Sequence, residues 1–230
     1  MTDQEKRADA PGRGAVFVPD PSRSLVYRIL RGIVAGFLKL WFRPVIEGPG
    51  SVPDDGAVII APVHRSYLDF AFAILLTDRK VFFMAKDSLW KWKWFGSFLL
   101  AMGAFPVHRE SADRSALMNA EAVLNSGQVL VMFPEGTRQD GPLIGDILEG
   151  AAFLSARSSA SIVPVGIGGS ALAMPKGAYL PRPKTVRIFL NTVLAPLQKS
   201  EKGRVPRSAV HQGTLTLKSE LQDAFDQASA

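Results

Sequence analysis

Five short apolar runs punctuate the chain, each rich in β-branched or aromatic residues: AVIIAPV (57–63), KVFFMA (80–85), QVLVMFP (128–134), SIVPVGI (161–167) and TVRIFLNTVL (185–194). Runs of that length and composition predict strands. The intervening stretches 67–77, 87–102, 111–126 and 146–157 carry helical spacing. Strands alternating with helices, joined by crossovers, predict an α/β fold with a largely parallel central sheet flanked by helices. Over 207–228, Leu217, Leu221 and Phe225 recur as on a packed terminal helix. In open sheets of this kind ligands gather beyond the carboxyl ends of the strands. His64 follows the first run, and Glu135 to Arg138 follow the third.

Ahead of the first strand lies SLVYRILRGIVAGFLKLWFRPVIEG. Ser24 suits a helix cap, and Pro44 should end the helix near Arg43. At about 100° per residue, Arg28, Arg31, Lys39 and Arg43 share one side. Leu30, Ile33, Val34, Phe37, Leu40 and Trp41 take the other. Charge interrupts the segment well short of the ~20 apolar residues a bilayer span needs. Lying in the interface plane suits it, with cations among anionic headgroups. Packing on a core with a solvated basic edge is the alternative. The stretch DSLWKWKWFGSFLLAMGAF (87–105) interleaves Trp90, Trp92 and Trp94 with Lys91 and Lys93. Tryptophan and lysine together favour the headgroup region. The same interleaving suits stacking on single-stranded nucleic acid, but the apolar run behind it fits a bilayer better. The expectation is an interfacial amphipathic helix over 23–44, after a mobile tail over 1–22 and before a domain over 45–230.

Composition narrows the choice. Lysine and arginine outnumber acids 27 to 21, for a formal charge of +6, which favours an anionic partner. With no cysteine among 230 residues, disulfides, thiolate metal sites and cysteine nucleophiles are excluded. The opening MTDQEKRADAPGRG lacks the pattern of a signal peptide, so the expected location is peripheral, on the cytoplasmic face of the cell membrane.

PVHRSYLDF (62–70) carries the most pointed chemistry. Ser66 to Asp69 fits the S-x-x-D capping box, which explains Asp69 without any reaction. Yet His64 precedes the cap, where the chain turns back and Asp69 can approach the imidazole. An acid on one ring nitrogen fixes the tautomer and raises the basicity of the other, as a general base requires. FPEGTR (133–138) follows a strand with a glycine loop, a threonine hydroxyl and an arginine fork. That is a phosphate cradle in outline, or simply a turn from Pro134 to Thr137 beside a surface arginine. GAFPVHR (103–109) adds Arg109 after another buried run.

Taken in order, H-x4-D, G-x-F-P-V-x-R, F-P-E-G-T-R and V-P-V-x-I resemble the glycerolipid acyltransferase family that includes 1-acylglycerol-3-phosphate acyltransferases. The resemblance runs from about Val45 to about Pro196 and implies an acyltransferase domain. It implies transfer of a fatty acyl group from acyl-CoA or acyl carrier protein to a lysophospholipid hydroxyl. His64 would then be the base and Asp69 its partner. Arg109, Glu135, Gly136, Thr137 and Arg138 would shape the acceptor site, and Lys86 in FMAKDSLW would add a phosphate contact. Many members have asparagine before the histidine; here it is Val63. No metal or cofactor is expected beyond the thioester donor, and no nucleic acid partner. Lysophosphatidate, glycerol-3-phosphate, another lysophospholipid or a lyso-aminolipid remain open as acceptors. A lipid or thioester hydrolase could use the same pair with water, but would not need an arginine-lined acceptor site.

Overall fold

The structure, a computed structural model, describes residues 24–107, 114–175, 177–178, 180–198 and 205–230. The expected tail over 1–22 lies outside them, as does Arg109. Seven strands form one sheet: β1 (Val45–Glu47), β2 (Val58–Pro62), β3 (Val81–Lys86), β4 (Ala104–Val107), β5 (Val129–Val131), β6 (Ser161–Gly168) and β7 (Arg187–Leu190). Their order is β1-β7-β6-β2-β5-β3-β4. The block from β6 to β4 is parallel; β7 runs antiparallel to β6, and β1 runs parallel to β7. Every residue of β2 is buried, as a central parallel strand covered on both faces demands.

All five expected strands are present. The expectations missed β1 and β4, which are short and lie at the two sheet edges. β4 contains Pro106, and an edge strand is where a proline, lacking an N–H, does least damage to a ladder.

Seven α-helices accompany the described sheet: α1 (Ser24–Phe42), α2 (Asp69–Phe72), α3 (Lys93–Ala101), α4 (Arg114–Asn125), α5 (Gly150–Ser158), α6 (Ser170–Ala173) and α7 (Arg207–Ser229). Three expected helices are shorter than their periodicity suggested; the 146–157 stretch becomes helical only at Gly150. The 67–77 stretch is only α2 plus a 3-10 turn, Ala73–Leu75. Its free carbonyls find a partner outside the helix, because the Arg31 guanidinium donates to the Ile74 oxygen (3.1 Å) and the Thr77 oxygen (2.7 Å). The 87–102 stretch breaks at Trp92, whose backbone is extended (φ −98°, ψ 106°), between a 3-10 turn and α3. Against β6, α7 approaches so closely that a Cβ at Gly166 would run into the Ala224 carbonyl. Glycine at that position is what lets the terminal helix seat.

The first helix corrects the two-faced picture drawn from its sequence. Tyr27, Leu38 and Phe42 lie in the core, with Phe42 edge-on to Phe72 of α2. Arg31 sits on that inner side, tied to Asp78 as well as to the two carbonyls, so it is not part of a basic outer face. Leu25, Val26, Ile29, Ile33, Phe37, Leu40 and Trp41 remain exposed on the far side, next to exposed Arg28, Lys39 and Arg43. The helix both packs and presents a second apolar face. No described helix is long and apolar enough to cross a membrane.

Candidate active site

Strand β2 ends at Pro62 and delivers His64 to the carboxyl edge of the parallel block. The 133–139 loop, which leaves the neighbouring strand β5 at the same edge, grips the histidine's backbone from both sides. His64 N donates to Glu135 Oε2 (2.7 Å), and Gln139 N donates to the His64 carbonyl (2.9 Å). The imidazole rests against the Phe133 ring, centroids 4.2 Å apart and planes tilted by 30°.

Asp69 completes the unit. Its Oδ2 accepts from His64 Nδ1 (3.2 Å), Arg65 N (2.6 Å) and Ser66 N (2.6 Å), and the side chain is fully buried. A carboxylate oxygen accepts, so Nδ1 carries a proton, and in the neutral ring the lone pair is on Nε2. The capping box is not formed as expected: the helix begins at Asp69 itself, with Leu68 as its cap and no side-chain cap bond. Asp69 still reaches back to Ser66 N, while the Ser66 hydroxyl accepts from Leu68 N (3.3 Å) and donates to the Met174 carbonyl (3.1 Å). One carboxylate both folds the turn and orients the imidazole, which is how residues five apart come together.

Glu135 points inward, toward the histidine segment. Its Oε2 holds His64 N, and its Oε1 takes Nη1 of Arg65 at 2.5 Å. Both partners are buried, so this carboxylate supports the histidine segment instead of offering a free acceptor contact. Arg65 was not singled out from sequence; its partner is 70 residues away, and no local pattern announces it. A buried guanidinium is costly unless paired, and here it also donates to the His64 and Leu143 carbonyls.

Gly136 provides the turn itself, with φ +69° and its N–H on the Phe133 carbonyl (3.1 Å). Thr137 is exposed, its hydroxyl accepting from Gln139 Nε2 (3.2 Å). The Arg138 guanidinium lies over the Tyr67 ring, 3.5 Å from its centroid, a pairing the sequence did not suggest. Lys86, exposed, is the last residue of β3 and so shares the carboxyl edge. Arg109 lies outside the described residues, two positions after β4. Among the described residues this edge therefore brings together an oriented imidazole with a free Nε2 and, on the adjoining loop, an arginine braced on an aromatic ring. Such a pair can take a proton from a hydroxyl beside a bound anion.

An α/β domain with a His–Asp pair on the carboxyl edge and an FPEGTR loop beside it defines a class, and comparison with known proteins agrees. The acyltransferase family model matches residues 43–168, more than half of the chain, and the chain belongs to that family. It is similar to the 1-acyl-sn-glycerol-3-phosphate acyltransferase of Bacillus subtilis, 32% identical over 52% of this chain and 59% of that protein. The Streptococcus pneumoniae protein of the same name is 33% identical over 63% of this chain and 55% of its own length. The chain thus spans little more than half the length of these relatives. Its fold resembles that of the Thermotoga maritima 1-acyl-sn-glycerophosphate acyltransferase PlsC, with a TM-score of 0.66 at 21% identity, covering 90% of this chain and 83% of that one.

Proposed function

We propose that the protein transfers a fatty acyl group from a thioester, acyl-CoA or acyl carrier protein, to the free hydroxyl of a lysophospholipid in phospholipid biosynthesis. The first-choice acceptor is 1-acylglycerol-3-phosphate, the substrate class named for both bacterial relatives. The observation that carries the reading is the His64–Asp69 pair held beside the Arg138 loop. His64 Nε2 takes the hydroxyl proton as the oxygen attacks the thioester carbonyl, a contribution of about 10²–10⁴ in rate. The carbon–sulfur bond then breaks, and the thiolate leaves with the proton that His64 returns. Asp69 keeps Nδ1 protonated throughout and stabilises the transient imidazolium. Arg138, and Arg109 with it, hold the acceptor's phosphate, with Thr137 and Lys86 as lesser contacts.

On this reading the reaction takes place at an anionic membrane surface, on the cytoplasmic face. What supports this is the outer side of α1, where Ile33 is 65% and Leu40 83% exposed beside Arg28, Lys39 and Arg43. Trp92 (69%) and Trp94 (74%) are exposed as well. Apolar surface of that extent flanked by cations suits an anionic headgroup layer.

Supplying radiolabelled acyl-CoA with and without lysophosphatidate tests the function. Labelled diacyl product that depends on the acceptor and vanishes in His64→Ala is the expected result. Free fatty acid formed at the same rate without acceptor would mean hydrolysis, and no turnover with any acceptor or donor would refute acyl transfer.

A further inference from the structure

The family match ends at Gly168 and leaves out α7, yet α7 reaches the histidine by a short chain of contacts. Phe225 of α7 faces the Arg65 guanidinium, whose central carbon lies 4.8 Å from the ring centroid. Arg65 Nη2 donates to the Leu143 carbonyl (3.2 Å), and Gln222 of α7 brackets that same residue. Gln222 Oε1 accepts from Ile144 N (2.8 Å) while its Nε2 donates to the Pro142 carbonyl (3.1 Å). One turn earlier, Lys218 Nζ meets Asp146 Oδ1 at 3.0 Å. Lys218, Gln222 and Phe225 stand at i, i+4 and i+7, a single face of the helix.

We propose that this stripe of α7, Gln222 and Phe225 above all, consists of positioning residues for His64. It acts through Arg65, and the proposal rests on the reading of His64 as the base. Arg65 has one seat only because four sides are fixed: the Glu135 carboxylate, the His64 carbonyl, the Leu143 carbonyl and the Phe225 ring. Two of those four depend on α7. Loosening them lets the guanidinium shift, and the Glu135 carboxylate follows its charge partner. That carboxylate is also what holds His64 N, so the displacement arrives at the imidazole. A misplacement of about 1 Å at a reacting group lowers the rate by as much as ~10²-fold.

The ordinary alternative is that α7 only fills the core through Leu217 and Leu221. Two measurements on the full chain separate the ideas: steady-state kinetics, and the imidazole proton–nitrogen spectrum. Only three histidines are present, so His64→Ala identifies the His64 signals. For Gln222→Ala and Phe225→Leu, kcat should fall about 10-fold, with both substrate KM values within about twofold of the wild type. The His64 imidazole signals should move in both. Phe225→Tyr, which keeps the ring, should recover most of the lost kcat. Leu217→Ala, on the core-facing side, should lower the melting temperature and leave the His64 signals in place. The proposal is overturned if kcat and the His64 signals are unchanged in Gln222→Ala. It is equally overturned if Leu217→Ala moves those signals as far as the other two do. Should Phe225→Leu fail to fold, Gln222→Ala decides by itself, since it removes one half-buried and two exposed hydrogen bonds and no core packing. A wild-type chain that acylates nothing would refute the proposed function, and the spectra would still decide the positioning.

Discussion

The His64 segment and helix α1 invert the usual distribution of residues in opposite senses. Around His64, four ionisable side chains are buried: His64, Arg65, Asp69 and Glu135. On α1, seven large apolar side chains are exposed. Burying polar groups is unfavourable unless each finds a partner, and here the partners sit within the same loop cluster, on two adjacent strand ends. Exposing apolar surface is unfavourable unless something covers it, and nothing within the described chain covers the outer side of α1. Most of the buried polar atoms find partners within the molecule, Arg65 Nε and Asp69 Oδ1 excepted, whereas the outer side of α1 is left bare by the described residues. Substitutions in the first region should therefore change chemistry or folding, and those in the second should change attachment alone.

The largest expected effect is at the histidine. His64→Ala should lower transfer by about 10³-fold or more while the protein stays folded and bound to vesicles. Asp69→Asn should lower it by ~10²–10³-fold and reduce the melting temperature too, because the same oxygen holds two backbone N–H groups. An activity loss in Asp69→Asn with full thermal stability would separate the two roles that the structure joins.

Next comes α1, where its two faces can be set against each other. Phe42→Ala, on the inner side, should destabilise the fold by about 3–5 kcal/mol, read from denaturant unfolding. Ile33→Asp with Leu40→Asp, on the outer side, should leave that unfolding curve nearly unmoved and weaken binding to anionic vesicles by about 10-fold or more. If the outer pair destabilised the protein as much as Phe42→Ala, the exposed face would be a core face after all.

Arg138→Lys should raise the lysophosphatidate KM about 10-fold, lower kcat, and change the acyl-CoA KM little. Lysine can replace neither the planar fork nor the stacking on Tyr67. An increase confined to the acyl-CoA KM would assign the anion site to the donor. The smallest effect belongs to the outer cations. Lys39→Gln and Arg43→Gln should each weaken vesicle binding by about 1 kcal/mol at low salt, measured by co-sedimentation. The loss should fade near 1 M salt, where the screening length is about 3 Å.

Much of this molecule was legible because its signals are local. The five apolar runs specified strands, since a strand buried on both faces has little choice but to be continuously apolar. Chain order then placed His64 and the FPEGTR loop at the carboxyl ends of the first and third expected strands; that those strands are neighbours came only with the fold. The edge strands β1 and β4 gave no such signal, being three and four residues long. Helix α1 was recognisable as a helix, but its one expected apolar side was compatible with either an interface or the core. Only the folded chain shows that Tyr27, Leu38 and Phe42 face inward, Tyr27 accepting from Val81 N of β3 and Phe42 meeting Phe72 of α2.

The sequence by itself determined the alternation of strands and helices, the positions of the His–Asp pair, and the arginine loop that follows β5. Those are properties of spacing, and spacing is written in one dimension. What only the tertiary structure decided is which charged residues are partners. Arg31 ties α1 down, whereas Arg28 on the same helix stays exposed. Glu135 holds the His64 segment, and Arg65 joins that segment to the terminal helix. An arginine looks the same in sequence whether it faces water, an anion or a buried carboxylate. Its role is set by the dielectric and the partners around it, and those exist only after distant parts of the chain have met.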